Sequence, residues 1–384
     1  MKFEFATSAR ILFGPGLARE AAQQARALGQ HALLVTGRLR ASANLLVDDL
    51  HRLGVEVTFF EVNAEPSIRL VETGAQVARL AACDLVIGFG GGSALDASKA
   101  IAALVTNPGE ALDYLEVIGK ARALINAPLP IIAVPTTAGT GSEVTRNAVL
   151  LSPEKRVKVS LRHALMLPRV AIVDPLLTHS LPPGVSASTG MDALTQLIEP
   201  YLSVAANPMT DSFCVEGIAR AAGSLRRVFD NGNDQAARED MALASLLGGM
   251  ALANARLGAV HGFAGALGGM FPAQHGEVCA RLLPVVMGVN LRALKERRPD
   301  SDTLRRFERI AVLLTGSPLA QAQDGINWLK ETCSLFGIPA LGAHGVRAQD
   351  IPEVVAQARS ASSMKGNPIE LTDLELMEIL QEAL

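Results

Sequence analysis

Two loops rich in glycine and hydroxyl groups, and two glycine-flanked histidines, are the residues of this 384-residue chain whose types and spacing suit chemistry. In the first loop, Phe89-Gly90-Gly91-Gly92-Ser93 follows an apolar run at 85–88 and leads into a helical pattern with Asp96 and Ser98 early in it. Consecutive glycines let a backbone approach a pyrophosphate closely, and a helix N-terminus offers that anion N–H groups and a partial positive charge. The spacing is not G-x-G-x-x-G, and taken alone it names no cofactor. The second loop, Pro135-Thr136-Thr137-Ala138-Gly139-Thr140-Gly141-Ser142-Glu143-Val144-Thr145, carries five hydroxyls directly after another apolar run. One hydroxyl, Ser142 or Thr145, would serve to cap a turn. Five at the carboxyl end of a strand point to hydrogen bonds with a bound ligand. His261 and His275 each precede a glycine, which leaves room beside the imidazole. Asp192 opens the helical stretch 191–199 and, on its own, reads as a carboxylate at a helix N-terminus.

The elements that must position these groups change character along the chain. Residues 32–36, 55–60, 85–88, 131–135 and 170–174 are short aliphatic runs bounded by Gly, Pro or Asp, and read as strands. Helical patterns at 17–28, 43–53, 68–81 and 94–105 alternate with them. Strands apolar on both faces, separated by helices, predict a parallel sheet covered on both sides. From about Ser188 onward the patterns are helical almost throughout, with Pro182-Pro183-Gly184 marking the seam.

Composition narrows the partners. The net charge is -3, from 35 basic and 38 acidic residues, which gives no reason to expect nucleic acid or an anionic membrane. The basic clusters Arg226-Arg227, 295–298 and Arg305-Arg306 lie on helical patterns with interleaved acids and read as solvated faces. Cys83, Cys214, Cys279 and Cys333 are widely spaced with no C-x-x-C pair, so reduced thiols in a cytoplasmic protein are expected. No signal peptide is expected at the N-terminus, and the apolar stretch 241–255 reads as a buried core helix.

The segments 90–100, 135–144, 190–201 and 260–276, with the opening Arg10-Ile11-Leu12-Phe13-Gly14-Pro15-Gly16, resemble the iron-containing alcohol dehydrogenase family of the dehydroquinate synthase-like superfamily. The resemblance spans essentially the whole chain in the family's order and spacing. It implies an α/β dinucleotide-binding domain with a parallel sheet at 1–181, an all-helical metal and substrate domain at 182–384, and an active site in the cleft between them. It also implies NAD(P), a divalent metal (iron or zinc), a small alcohol or aldehyde substrate, and a homodimer. Carried over residue by residue, Gly91, Gly92 and Ser93 cradle the pyrophosphate, Thr136, Thr137 and Thr140 contact the cofactor, and Lys158 lies near its diphosphate or ribose. Gly90, Asp96 and Ser142 complete that expected set, with Gly37 and Arg38 at the adenosine end.

In the family pattern Asp192, His261 and His275 match metal-ligand positions and are the expected catalytic residues. The fourth ligand is usually a histidine four residues after the aspartate; here Gln196 stands there, to complete the sphere or hold a water. Gly265 replaces a histidine common in the family's substrate pocket. After the strand 32–36, where many NAD-specific relatives carry an aspartate, this chain has Gly37, then Arg38 and Arg40, a pattern that admits a 2′-phosphate. Two other readings stand beside this one: a metal-free reductase of 2-oxo or enol acids similar to maleylacetate reductases, and a non-catalytic cofactor-binding regulatory protein.

Overall fold

The computed structural model describes residues 2–37 and 43–384. The chain divides into two compact units, one of Ala6–Thr137 and Gly141–His179, the other of Met1–Phe5, Ala138–Thr140 and Ser180–Leu384.

The first unit alternates strand and helix: β1 Arg10–Phe13, α1 Glu20–Leu28, β2 His31–Thr36, α2 Asn44–Arg52, β3 Glu56–Glu61, α3 Ile68–Leu80, β4 Leu85–Gly90, α4 Gly92–Thr106, a single turn α5 Ala111–Tyr114 and β5 Ile131–Pro135. The strands β6 Asn147–Ser152, β7 Val157–Arg162 and β8 Val170–Val173 follow. Six strands form a parallel sheet in the order β1-β8-β5-β4-β2-β3. Side chains alternate across it, so Leu33, Val35, Val86 and Ile131 enter one core while Ala32, Leu34, Leu85, Ile87, Ile132 and Val134 enter the other. Both faces are covered, which is why each strand reads as a continuous apolar run. The antiparallel hairpin β6–β7 lies apart from this sheet. It is absent from the sequence-based strands; β7 alternates apolar with polar residues (Lys158, Ser160, Arg162), and β6 begins at Asn147 and ends at Ser152 rather than reading as a continuous apolar run.

The second unit is helical: α6 Pro183–Leu202, α7 Pro208–Asp230, α8 Gln235–Ala255, α9 Ala259–Met270, α10 His275–Arg297, α11 Asp302–Thr315, α12 Ala322–Leu335, α13 Ile351–Ser360 and α14 Asp373–Ala383. Nearly all of α6 from Ser186 onward is buried, and it packs against α7, α8 and α10. A helix apolar all round belongs in the centre of its unit. No single helix among the described residues is long and apolar enough to cross a membrane; α8 and α9 pass that test only as a pair bent by 98°. Arg227, Arg305 and residues 295–298 are exposed, while one arginine of each pair is drawn into packing. Arg226 stacks over Trp328 and donates to Thr332, while Arg306 stacks over Tyr201 and grips Asp211 with two bonds of 2.7 Å. The planar guanidinium suits both tasks.

A buried polar seam pins the hydroxyl-rich loop to α4. Lys99, 1% exposed, donates to the Ser142 carbonyl at 3.0 Å and to Thr145 Oγ1 at 2.9 Å, and pairs with Asp96 at 3.0 Å. Asp96 accepts from Ser142 Oγ at 2.5 Å and from the Val149 N–H at 2.9 Å. Glu143 lies in the same turn, and burial pushes its carboxyl up to about 7, partly opposed by a backbone hydrogen bond and by Lys99. A carboxyl raised on folding contributes stability that is fully present below its unfolded value, near 4.5, and lost as pH rises through about 7. Glu143→Gln should therefore remove roughly 3 kcal/mol of pH dependence between pH 4.5 and 8. Urea unfolding at both pH values checks this; parallel pH profiles for the two proteins would refute it.

Candidate functional site

The glycine-rich loop and the Pro135–Thr137 start of the hydroxyl-rich loop sit side by side in the first unit. Gly91 is the N-cap of α4 and gives that helix no side-chain cap, so the first-turn N–H groups of Gly92 and Ser93 lie at an uncovered helix end. The Thr136 N–H donates to the Gly90 carbonyl at 3.0 Å, joining the loops. A Cβ at Gly91 would stand 3.2 Å from Thr137 Cγ2, and one at Gly90 would stand 2.7 Å from the Ala94 Cβ and 3.2 Å from the Gly37 nitrogen. The glycines thus hold open a narrow cradle bordered by Gly37 and Thr137. Gly91, Gly92, Ser93, Thr136, Thr137 and Thr140 are partly exposed. Asp96, Ser142 and Thr145 belong instead to the seam around Lys99, so two of the five hydroxyls are committed to holding the fold. Lys158 Nζ, on β7, pairs with Glu65 at 3.0 Å with its side chain 5% exposed. Gly37 has an ordinary backbone conformation rather than positive φ, and a Cβ there would meet nothing within 4 Å. Arg38 and Arg40 lie outside the described residues.

The metal-type residues gather in the second unit. Asp192 is the tenth residue of α6, not the start of a helix, which overturns the reading of it as a carboxylate at a helix N-terminus. Gln196 and Glu199 follow one and two turns later on the same helix face. His261 is in the first turn of α9 and His275 begins α10. Their glycine neighbours do not leave vacant room: a Cβ at Gly262 would stand 2.9 Å from Met364 Cε, and one at Gly276 would stand 2.5 Å from the Ser188 carbonyl. Gly276 instead lets the first turn of α10 close onto α6. Gly258, whose Cβ would stand 2.8 Å from Glu199 Oε1, does the same for α9.

Four donor atoms converge there, from Asp192, His261, His275 and Cys279, all within 4.8 Å of one another. Asp192 Oδ1 is 3.3 Å from His261 Nε2 and 3.7 Å from His275 Nε2. Glu199 fixes the orientation of His261. Its Oε2 lies 2.6 Å from His261 Nδ1, and its Oε1 accepts from the Val260 N–H at 2.7 Å. With the Nδ1 proton donated to Glu199, the Nε2 lone pair of neutral His261 faces Asp192. Among the described residues, Asp192 Oδ1 and Gln196 Oε1 are buried with no hydrogen-bond partner. Electron-pair donors facing one another out of water call for a cation between them.

The electrostatics agree. Burial pushes the Asp192 carboxyl up, but the charge of His275 and the close approach and charge of His261 outweigh it and hold the group at about 2. Burial pushes His261 down, but the charge of Cys279, the nearby Asp192 carboxylate and the contacts with Cys279 and Glu199 raise it well above its ordinary value. His275 is raised against the same opposition, by Cys279 and Asp192. The cluster fits a divalent metal, which Asp192, His261 and His275 would hold.

Sequence reasoning missed Glu199 and Cys279. Each carried a signal: Glu199 repeats the face of Asp192 at i+7, and Cys279 stands four residues after His275 on one helix.

The description "Iron-containing alcohol dehydrogenase" matches residues 8–175, and the C-terminal part of the Fe-containing alcohol dehydrogenase family matches 186–384. A 1,3-propanediol dehydrogenase of Klebsiella pneumoniae is 38% identical over 97% of this chain and 96% of its own. The crystal structure of a 1,3-propanediol oxidoreductase superposes with a TM-score of 0.92 at 35% identity, covering all of both chains. That of a sulfoacetaldehyde reductase from Bifidobacterium kashiwanohense in complex with NAD+ gives 0.86 at 29% identity, over 100% of this chain and 99% of the other.

Glu199→Gln tests the geometry directly. An amide cannot accept from both Val260 and His261, so its NH2 should turn to His261 Nδ1 and shift the proton to Nε2. Imidazole 15N shifts should report the changed tautomer, and metal affinity should fall about 10- to 100-fold. Unchanged 15N shifts would mean that Glu199 does not set the orientation of His261.

Proposed function

The chain belongs to the iron-containing alcohol dehydrogenase family, and from that premise we propose that it transfers hydride between NAD(P) and a small alcohol or aldehyde whose oxygen is polarised by a divalent metal at Asp192, His261 and His275. The observation that carries this reading is the buried, partnerless Asp192 Oδ1 facing the Nε2 of a histidine whose other nitrogen is held by Glu199. When bound, the metal would supply Lewis-acid polarisation of the substrate oxygen.

The chain's own residues supply orientation and exclusion of water. Asp192 and Gln196 are 2% and 3% exposed, so the site sits in a weakly screening environment. Gly265, one turn beyond His261 on α9, has no side chain to relay a proton, and a Cβ there would meet nothing within 4 Å. That space supports room for the substrate beside the donors, with solvent or the cofactor ribose taking up the proton. In the first unit, the uncapped start of α4 and the glycine cradle support pyrophosphate binding by Gly90, Gly91, Gly92 and Ser93, with Thr136, Thr137 and Thr140 contacting the cofactor. The NAD+ complex of the sulfoacetaldehyde reductase supports a nicotinamide cofactor. The nicotinamide would carry the redox chemistry, and the protein would position it. Asp96 and Ser142 are engaged in the seam around Lys99, and Lys158 with Glu65; their contact with the cofactor belongs to the same proposal.

Asp192→Ala should release the metal and abolish aldehyde reduction while leaving cofactor binding nearly intact. Metal analysis, turnover over an aldehyde panel and cofactor titration check this together; full turnover in the variant would sink the metal mechanism.

Cofactor choice follows from Gly37, which carries no carboxylate to repel a 2′-phosphate. NADPH should be accepted at least comparably with NADH. Because Gly37 lacks positive φ and a Cβ there would meet none of the described residues within 4 Å, Gly37→Asp should fold. It should move the kcat/KM ratio towards NADH by tenfold or more, about 1.4 kcal/mol. Strict NADH use by the wild type would defeat this reading.

A further inference from the structure

We propose that Cys279 is the fourth protein donor of the metal site, supplying as a thiolate the bond that Gln196 does not, and that this makes the site selective for zinc-like ions. The inference rests on the metal reading above and goes beyond it in naming a ligand outside the family's expected set. Cys279 is fully buried, and its Sγ lies 3.6 Å from His275 Nε2 and 3.9 Å from His261 Nε2. Bond lengths of about 2.0–2.1 Å to nitrogen and oxygen and about 2.3 Å to sulfur give a tetrahedral ion donor–donor edges of about 3.3 Å between N and O and about 3.6 Å between N and S. The two N–O separations here are 3.3 and 3.7 Å. Four of the six donor–donor edges therefore lie within a few tenths of an ångström of a tetrahedral set, and all six are within 4.8 Å.

The local structure explains why this cysteine differs from the others. Burial pushes the thiols of Cys214 and Cys333 up, and Cys333 gives its proton to the Ala280 carbonyl at 3.1 Å. Cys279 instead faces two imidazoles and sits one turn after His275, so both side chains of α10 point to the same place. Gln196 can offer only its amide oxygen, which is a weak donor beside a thiolate. On binding, the Cys279 thiol would release its proton to solvent, and the two negative donors Asp192 and Cys279 would match the charge of a divalent ion. A soft thiolate ranks zinc and cobalt above magnesium and manganese at such a site. Substrate would enter as a fifth ligand, an expansion that four-coordinate zinc permits.

The test loads the full-length, metal-stripped protein with Co(II) and records its absorption spectrum. A thiolate donor gives a sulfur-to-cobalt charge-transfer band in the near ultraviolet, while ligation of any kind gives visible d–d bands. Wild type should show both; Cys279→Ser should keep the d–d bands, lose the charge-transfer band and bind Zn(II) on the order of tenfold more weakly. No other described cysteine belongs to a donor cluster, so the wild-type band alone assigns the ligand even if the variant fails to fold. Visible bands without charge transfer in the wild type would overturn the proposal and leave the Asp/His/His site standing. Absence of all cobalt bands would overturn both.

Discussion

Asp192 Oδ1 and His261 Nε2 face each other at 3.3 Å in the interior of the helical unit, and Glu199 takes the one ring proton that neutral His261 has to give. Both facing atoms are then acceptors, and His275 and Cys279 close the remaining sides. Such an arrangement is costly in a weakly screening interior unless a positive charge occupies it. The lowered Asp192 and the raised histidines express the same demand: the cluster favours positive charge, whether a proton or a metal brings it.

The surrounding helices are arranged to hold this convergence. α6 passes through the centre of its unit and offers Asp192, Gln196 and Glu199 along one face. The starts of α9 and α10 come close enough to reach that face because Gly258 and Gly276 have no Cβ to meet Glu199 or the Ser188 carbonyl. Glu199 does two jobs with one carboxylate, satisfying an otherwise unpaired N–H at the start of α9 and orienting the histidine two residues into that helix. Asn367 takes the neighbouring N–H of Ala259 and is itself held by Asn290 on α10. The network therefore ties both histidine-bearing helices to α6 through hydrogen bonds as well as packing.

In the first unit the dependence runs through Lys99. Its buried ammonium collects the Ser142 carbonyl, Thr145 and Asp96, so the hydroxyl-rich loop is fastened from beneath and its remaining threonines are presented outward. This division of labour could not be read from composition. Five hydroxyls in a loop look equivalent in sequence, and only their neighbours in space separate Ser142 and Thr145, which hold the loop, from the partly exposed Thr136, Thr137 and Thr140.

The sequence by itself determined the parallel α/β unit, because strands buried on both faces must be apolar at every position, and it determined the helical character of the rest through periodicity. It also singled out Asp192, His261 and His275, through a family pattern that survives the change at Gln196. Tertiary structure decided what local pattern could not carry. The β6–β7 hairpin carries Asn147, Ser152, Lys158, Ser160 and Arg162 and so lacks the continuous apolar run that marked the parallel strands. Asp192 sits mid-helix, because α6 begins at Pro183, nine residues before it. Glu199 and Cys279 join this cluster only through the approach of α9 and α10 to α6, since a buried donor's chemistry is set by the atoms within 4 Å of it, and those come from residues up to 83 positions away in sequence, as between Asp192 and His275.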